Sequence, residues 1–190
     1  MNRSASAHVQ AFLRDPKGVA ALLPTSAPVV ERIASEVEPG KADFVIEYGP
    51  GTGVLTRRLL DHLSPTARLL AIERDPDLAR SLDSELDDPR LTVVRDSAEN
   101  VRNVVASLAL PPADTVLSGI PFFWLTPETA LDIVANTHRV LRPGGSLITY
   151  QMFYQRRHHL RVHLERCFST VHTMLDLRNL PPYRICEAVK

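Results

Sequence analysis

Residues Val45-Ile46-Glu47-Tyr48-Gly49-Pro50-Gly51-Thr52-Gly53 run an apolar strand straight into a glycine-rich turn, and the amphipathic stretch VLTRRLLDHL follows at once. Strand, tight turn and helix in that succession open a parallel, doubly wound sheet. The spacing G-x-G-x-G lets the backbone turn sharply and approach a ligand, and it is expected to leave amide groups free at a helix N-terminus. A dinucleotide fingerprint would need another glycine at position 54, which is Val54, so pyrophosphate is disfavoured as the ligand.

Further along, apolar runs at 43–48, 68–73, 91–94, 113–118 and 145–152 alternate with helical stretches, which is the α/β pattern. The clearest helix spans 126–141, with Thr126 as N-cap, Pro127 at the first helical position, and Leu131, Val134, Ala135, Val140 and Leu141 on one stripe. Ser26 caps an earlier helix carrying Val29, Val30, Ile33 and Val37 inward. After Met152 a helix (156–166) precedes two strands, 171–177 and 183–189, joined only by Arg178 to Pro182; so short a link suits an antiparallel pair. The 190 residues fit one catalytic domain, 39–190, preceded by an N-terminal helical arm or lid, 1–38.

Two acids extend the glycine-loop reading. The second strand ends in Glu73, where a carboxylate can accept two hydrogen bonds from a ribose diol, and Arg74-Asp75-Pro76 opens the next helix. After the third strand, Arg95-Asp96-Ser97-Ala98 sets a carboxylate and adjacent backbone where an adenine amino group could meet them. Either acid alone could be a surface or capping residue, but the ordered set points to an adenosine-bearing ligand. Glu47 is expected behind the loop or near an ammonium of that ligand.

Lys plus Arg (22) balance Asp plus Glu (22), so the whole molecule offers no general attraction to nucleic-acid phosphates. The excess of base is local: from Tyr150 onward seven basic residues face three acidic ones, 7 − 3 = +4. Cys167 and Cys186 have no metal or redox spacing, and His158-His159 lacks a third ligand at recognisable spacing, so no metal is expected. No apolar run reaches membrane-spanning length and the N-terminus lacks a signal-peptide core, which suggests a cytoplasmic chain.

The fourth strand delivers Val116-Leu117-Ser118-Gly119-Ile120-Pro121-Phe122-Phe123-Trp124. This stretch resembles the bacterial phospholipid N-methyltransferases, which methylate phosphatidylethanolamine on nitrogen and carry an S-G-[LI]-P segment here. Further matches are Phe12 to Pro16, Pro24-Thr25-Ser26, Glu47 to Gly53, Ala71 to Asp75, Leu141 to Gly145, and Arg178-Asn179-Leu180-Pro181-Pro182, so nearly the whole chain is covered. The resemblance implies a Rossmann-like class I methyltransferase: an α/β fold with a mostly parallel seven-stranded sheet, an antiparallel last strand and helices on both faces. It implies S-adenosylmethionine as cofactor, with S-adenosylhomocysteine as product, held by Glu47, Tyr48, Gly49, Gly51, Gly53, Glu73, Arg74, Asp96, Ser97, Ala98 and Ser118. The methyl acceptor is expected against Ser118, Gly119, Ile120, Pro121 and Tyr150.

An amine must lose a proton before attacking a sulfonium methyl, and alignment by the carbonyls around Ser118 and Gly119 is expected to carry most of the rate. The expected partners are a phospholipid and the anionic inner face of the cytoplasmic membrane, reached peripherally by a monomer, with no nucleic acid. Membrane or substrate contact is expected from Phe12 in the N-terminal arm, from Phe122, Phe123 and Trp124, and from Tyr154, Arg156, Arg157 and His158. Three alternatives differ in class. Ribosomal RNA adenine dimethylases share the glycine turn but carry asparagine where Ser118 stands, together with an RNA-binding domain. The remaining two are a methyltransferase of another amine, such as an aminolipid, and a catalytically silent cofactor-binding module.

Overall fold

The computed structural model describes residues 27–37, 42–153, 158–178 and 182–190, without the side chains of Met152, His158 and His159. Phe12, Tyr154, Arg156 and Arg157 therefore lie outside the described residues, and so does the side chain of His158. In chain order come α1 (Ala27–Glu36), β1 (Phe44–Tyr48), α2 (Val54–His62), β2 (Arg68–Glu73), α3 (Pro76–Glu85) and β3 (Leu91–Arg95). Next are α4 (Val101–Ser107), β4 (Ala113–Ser118), α5 (Pro127–Val140), β5 (Leu141–Met152), α6 (His158–Cys167), β6 (Thr170–Asp176) and β7 (Tyr183–Val189).

The sheet order is β3-β2-β1-β4-β5-β7-β6. Strands β1 to β5 pair in parallel, while β7 is antiparallel to both β5 and β6. The antiparallel pair β6-β7 is the one that the short 178–182 link foretold. Every residue of β1 is buried, as a central strand covered on both faces must be. Its even-numbered residues Phe44, Ile46 and Tyr48 join the core beneath α4, α5 and α6, whereas Val45 joins the core beneath α1 and α2. By that alternation Glu47 falls on the α1/α2 side. Helix α1 contributes Val29, Val30, Ile33 and Ala34 to this second core, so it is an integral layer of the domain.

Local chemistry fixes the helix starts. Asp75 Oδ1 accepts from the amides of Asp77 and Leu78 at the head of α3, with Pro76 inside the first turn. Thr126 Oγ1 does the same for Thr129 N at 3.2 Å, again followed by a proline. Strand β5 starts at Leu141 and not at the expected Gly145. Its pairing with β4 steps from Ala113↔Leu141 to Thr115↔Ser146, and the surplus residues are taken up by the Arg142-Pro143-Gly144-Gly145 irregularity. An added Cβ at Gly145 would lie 2.8 Å from the Asp114 carbonyl, so only glycine fits that close approach.

The chain winds outward from β1 to β3, then returns to the far side of β1 as β4. The crevice at the carboxyl ends of β1 and β4 is therefore the switch point, where such sheets bind ligands.

Candidate active site

Two loops meet at that crevice because Tyr48 and Ser118, the last residues of β1 and β4, are register partners. Gly49, Gly51 and Gly53 have φ of 66°, 57° and 74°, the left-handed region that glycine adopts without strain. The amides of the glycines themselves are engaged, while the N-terminus of α2 carries no side-chain cap. Gly49 N extends the sheet ladder to Ile72 O at 2.9 Å, Gly53 N closes the turn on Pro50 O at 2.9 Å, and Gly51 N donates to Glu73 Oε2 at 3.1 Å. Arg57 braces the loop from behind by donating to Thr52 O at 2.7 Å while pairing with Glu85.

Glu73, at the end of β2, also accepts from Asp75 N through Oε1 at 2.9 Å. Burial raises its pKa, and the amide bonds from Asp75 and Gly51 oppose that rise. Its carboxyl thus faces the glycine loop in a fixed orientation, with lone pairs left for a diol. The Glu73 carbonyl accepts from Asp96 N at 3.1 Å, which brings the β3 loop to the same crevice. Asp96 Oδ1 accepts from Ser97 N at 2.6 Å and from Asn100 Nδ2 at 2.7 Å; Ser97 caps the short turn Ala98–Asn100, and Ala98 is buried. Arg74 is exposed on the rim beside Glu73.

Glu47 is completely buried. Thr56 Oγ1 donates to its Oε2 at 2.7 Å, but Oε1 has no partner. Burial pushes its pKa up to about 7, the Thr56 bond opposes the rise, and the nearby Glu73 carboxyl adds to it. An orphaned carboxylate oxygen in a crevice can take a cation or a hydrogen-bond donor. Tyr48 takes a different place from the one expected. Its ring turns to the opposite face, where the hydroxyl meets Thr137 Oγ1 of α5 at 3.0 Å, and only its backbone borders the crevice, accepting from Gly119 N at 3.1 Å. The period of two along β1 forces this, setting Glu47 toward Thr56 of α2 and Tyr48 toward Thr137 of α5.

On the β4 side Ser118 is fully buried and its Oγ accepts from Ile120 N at 3.4 Å. Ile120 and Pro121 lead into a single 3₁₀ turn, Phe122–Trp124, in which Phe122 enters the core while Phe123 and Trp124 stay partly exposed with ring centroids 4.6 Å apart. Tyr150 of β5 is pressed against Gly119: an added Cβ there would stand 2.6 Å from the Tyr150 hydroxyl. Burial raises the Tyr150 pKa well above its usual value, with the charges of Glu47 and Tyr183 adding to the shift, so the phenol stays protonated at neutral pH. Tyr183 of β7 lies beside it, ring centroids 6.4 Å apart.

The sequence had not singled out Thr56, Arg57, Asn100 or Tyr183. Only Thr56 carried a signal, as a polar residue between the buried Leu55 and Leu59 on the inward face of α2. Among the described residues no group of three His, Cys, Asp or Glu is placed to hold a metal, and no helix is long and apolar enough to cross a membrane.

Residues 9–101 match the family model described as ribosomal RNA adenine dimethylase. A ribosomal RNA small subunit methyltransferase A from Bordetella pertussis is 43% identical, but over only 40% of this chain and 28% of that protein. An ornithine lipid N-methyltransferase from Singulisphaera acidiphila is 29% identical over 94% of this chain and 93% of its own length. Among solved structures, an O-methyltransferase from Bacillus cereus in complex with SAH superposes with a TM-score of 0.75 at 15% identity, covering 100% of this chain and 92% of that one. The strand order, the crevice at the switch point and a lipid N-methyltransferase aligned almost end to end agree, and the chain is a class I S-adenosylmethionine-dependent methyltransferase.

Proposed function

We propose that the chain transfers a methyl group to the amine of a lipid headgroup, with ornithine lipid as the first acceptor and phosphatidylethanolamine as the second. The observation that carries this reading is coverage. The ornithine lipid relative aligns over 94% of this chain and 93% of its own length, whereas the ribosomal RNA methyltransferases from Bordetella pertussis and Polaromonas match over only 28% and 43% of theirs. The loop itself agrees, since Ser118 stands where the RNA enzymes carry the asparagine that holds a flipped adenine.

The crevice suits S-adenosylmethionine on two structural grounds: the oriented Glu73 carboxyl for a ribose, and the orphaned Glu47 Oε1 for an ammonium. When bound, the cofactor supplies an electrophilic methyl on a sulfonium. Glu73 and Gly51 hold the sugar side, and Asp96, Ser97 and Ala98 form the wall for the base. Gly119, lacking a Cβ, lets the Tyr150 hydroxyl lie against the acceptor loop. A protonated phenol there accepts or donates one hydrogen bond and orients a neutral amine without acting as a phenolate base. The carbonyls of Ser118 and Gly119 complete the alignment, so the chain contributes chiefly by positioning.

The test is direct. Protein is incubated with methyl-labelled S-adenosylmethionine and, separately, with ornithine lipid, phosphatidylethanolamine and ribosomal RNA. Label in an aminolipid is expected; label in RNA and in neither lipid overturns the reading.

A further inference from the structure

We infer that the rim formed by the carboxyl ends of β5 and β6 and the amino end of β7, on the α6 side of the sheet, is the face that rests on an anionic bilayer. The inference rests on the lipid reading above but draws on different residues.

Along β6, Met174 faces α1, where Arg32 Nη2 reaches its sulfur at 3.5 Å, so its neighbour Leu175 faces the other way. Register places Leu175, Arg184 and Gln151 in one cross-strand row on that opposite face. Gln151 Nε2 donates to Ile120 O at 3.4 Å, which joins the row to the acceptor loop and its partly exposed Phe123 and Trp124. At the rim, Leu175 is 55% exposed, Leu177 is 76% exposed and Phe153 is 39% exposed. Large apolar side chains this accessible, grouped beside one end of a sheet, mark an interaction surface.

Two features select a bilayer as the occupant. The first is charge: Arg184 stands in the row itself with no acidic partner among the described residues, while Arg178, which directly follows Leu177, is paired with Asp176 of the same rim. Each such residue near an anionic surface strengthens binding, and apolar side chains dip below the headgroups. The second is continuity, because a lipid headgroup entering the crevice passes along the Phe123–Trp124 turn while its acyl chains stay beyond the rim.

The test uses the full chain with vesicles of phosphatidylcholine alone or mixed with phosphatidylglycerol. Leu175→Glu/Leu177→Glu should cut the fraction bound to anionic vesicles at least about tenfold. Both positions are exposed, so S-adenosylmethionine affinity should stay unchanged and report an intact fold. Methylation of aminolipid should fall on vesicles but persist in detergent micelles. Independently, the indole introduced by Leu177→Trp should be quenched by acyl-brominated lipid beyond the background of Trp124. Loss of vesicle binding without methylation of any lipid would defeat the proposed function and leave the docking face standing. Unchanged vesicle binding in the double variant overturns the inference, as does an introduced indole that the brominated lipid fails to quench. The same holds if the double variant only breaks a dimer of the wild-type chain while vesicle binding persists.

Discussion

Above the folded pKa of about 7, replacing Glu47 by glutamine should make the protein more stable and a poorer enzyme, and the size of the first effect follows from the burial of this one carboxyl. Its pKa in the folded chain is about 7, against 4.5 for the ordinary side chain, so between these values the native state binds the extra proton. Stability therefore falls as pH rises through this window, the loss being complete above the folded value. From about pH 5 to about pH 8 the linkage amounts to about 2.5 kcal/mol. Glutamine cannot ionise, keeps an oxygen for the Thr56 hydroxyl and removes this slope, while its buried amide adds a roughly constant cost of about 1–2 kcal/mol. The assay is urea unfolding of both proteins across that pH range without cofactor. The difference between wild type and variant should shift by about 2.5 kcal/mol in favour of the variant as pH rises. In calorimetry the wild type should bind S-adenosylmethionine about tenfold more weakly at pH 6 than at pH 8, because its carboxylate must ionise to meet the cofactor's ammonium, and the variant should lose this dependence. A difference in stability that ignores pH would show that Glu47 keeps an ordinary pKa in the native state, and the expected weakening of cofactor binding at pH 6 would fall with it.

Glu73→Ala should lower S-adenosylmethionine affinity at least about tenfold by calorimetry, because it removes the ribose acceptor and releases the Gly51 amide. Gly119→Ala should reduce turnover at least about tenfold with cofactor affinity intact, since its methyl would meet the Tyr150 hydroxyl 2.6 Å away; adding Tyr150→Phe should restore part of the loss. Tyr48→Phe should cost about 1 kcal/mol in urea unfolding through the lost Thr137 bond, yet leave cofactor binding unchanged, which separates a core residue from a site residue.

The sheet was legible because each strand is a short apolar run bounded by proline, glycine or an acid, and the connection at 178–182 is too short for a crossover. The start of β5 lies four residues earlier than its composition suggests, since Arg142-Pro143-Gly144-Gly145 has the makeup of a turn but is held within the ladder by the shift against β4. In the crevice, Glu73 and Asp96 were visible from their places at strand ends. Which face the Tyr48 ring occupies was not legible, because a motif names a residue whereas strand parity decides where its side chain goes. Nor could a local pattern report what engages the amides of Gly49 and Gly51, because their acceptors lie some twenty residues away, in the Ile72 carbonyl and the Glu73 carboxyl. No local pattern reports Tyr183 beside Tyr150, a pairing created only when β7 inserts between β5 and β6.

The bond from Gly51 N to Glu73 Oε2 has a bearing on selectivity inside a cell crowded with ATP and nicotinamide nucleotides. Those competitors present phosphate oxygens, which seek unclaimed N–H groups at the mouth of a helix. Here all three glycine amides of the loop already have acceptors, and one of those acceptors is an acidic group with another, Glu47, behind it. A polyphosphate would have to displace a carboxyl from its amide and then sit beside it. A ligand with a neutral sugar edge and a positively charged tail would meet no such repulsion, so the two carboxyls are expected to disfavour polyphosphates at this loop by charge.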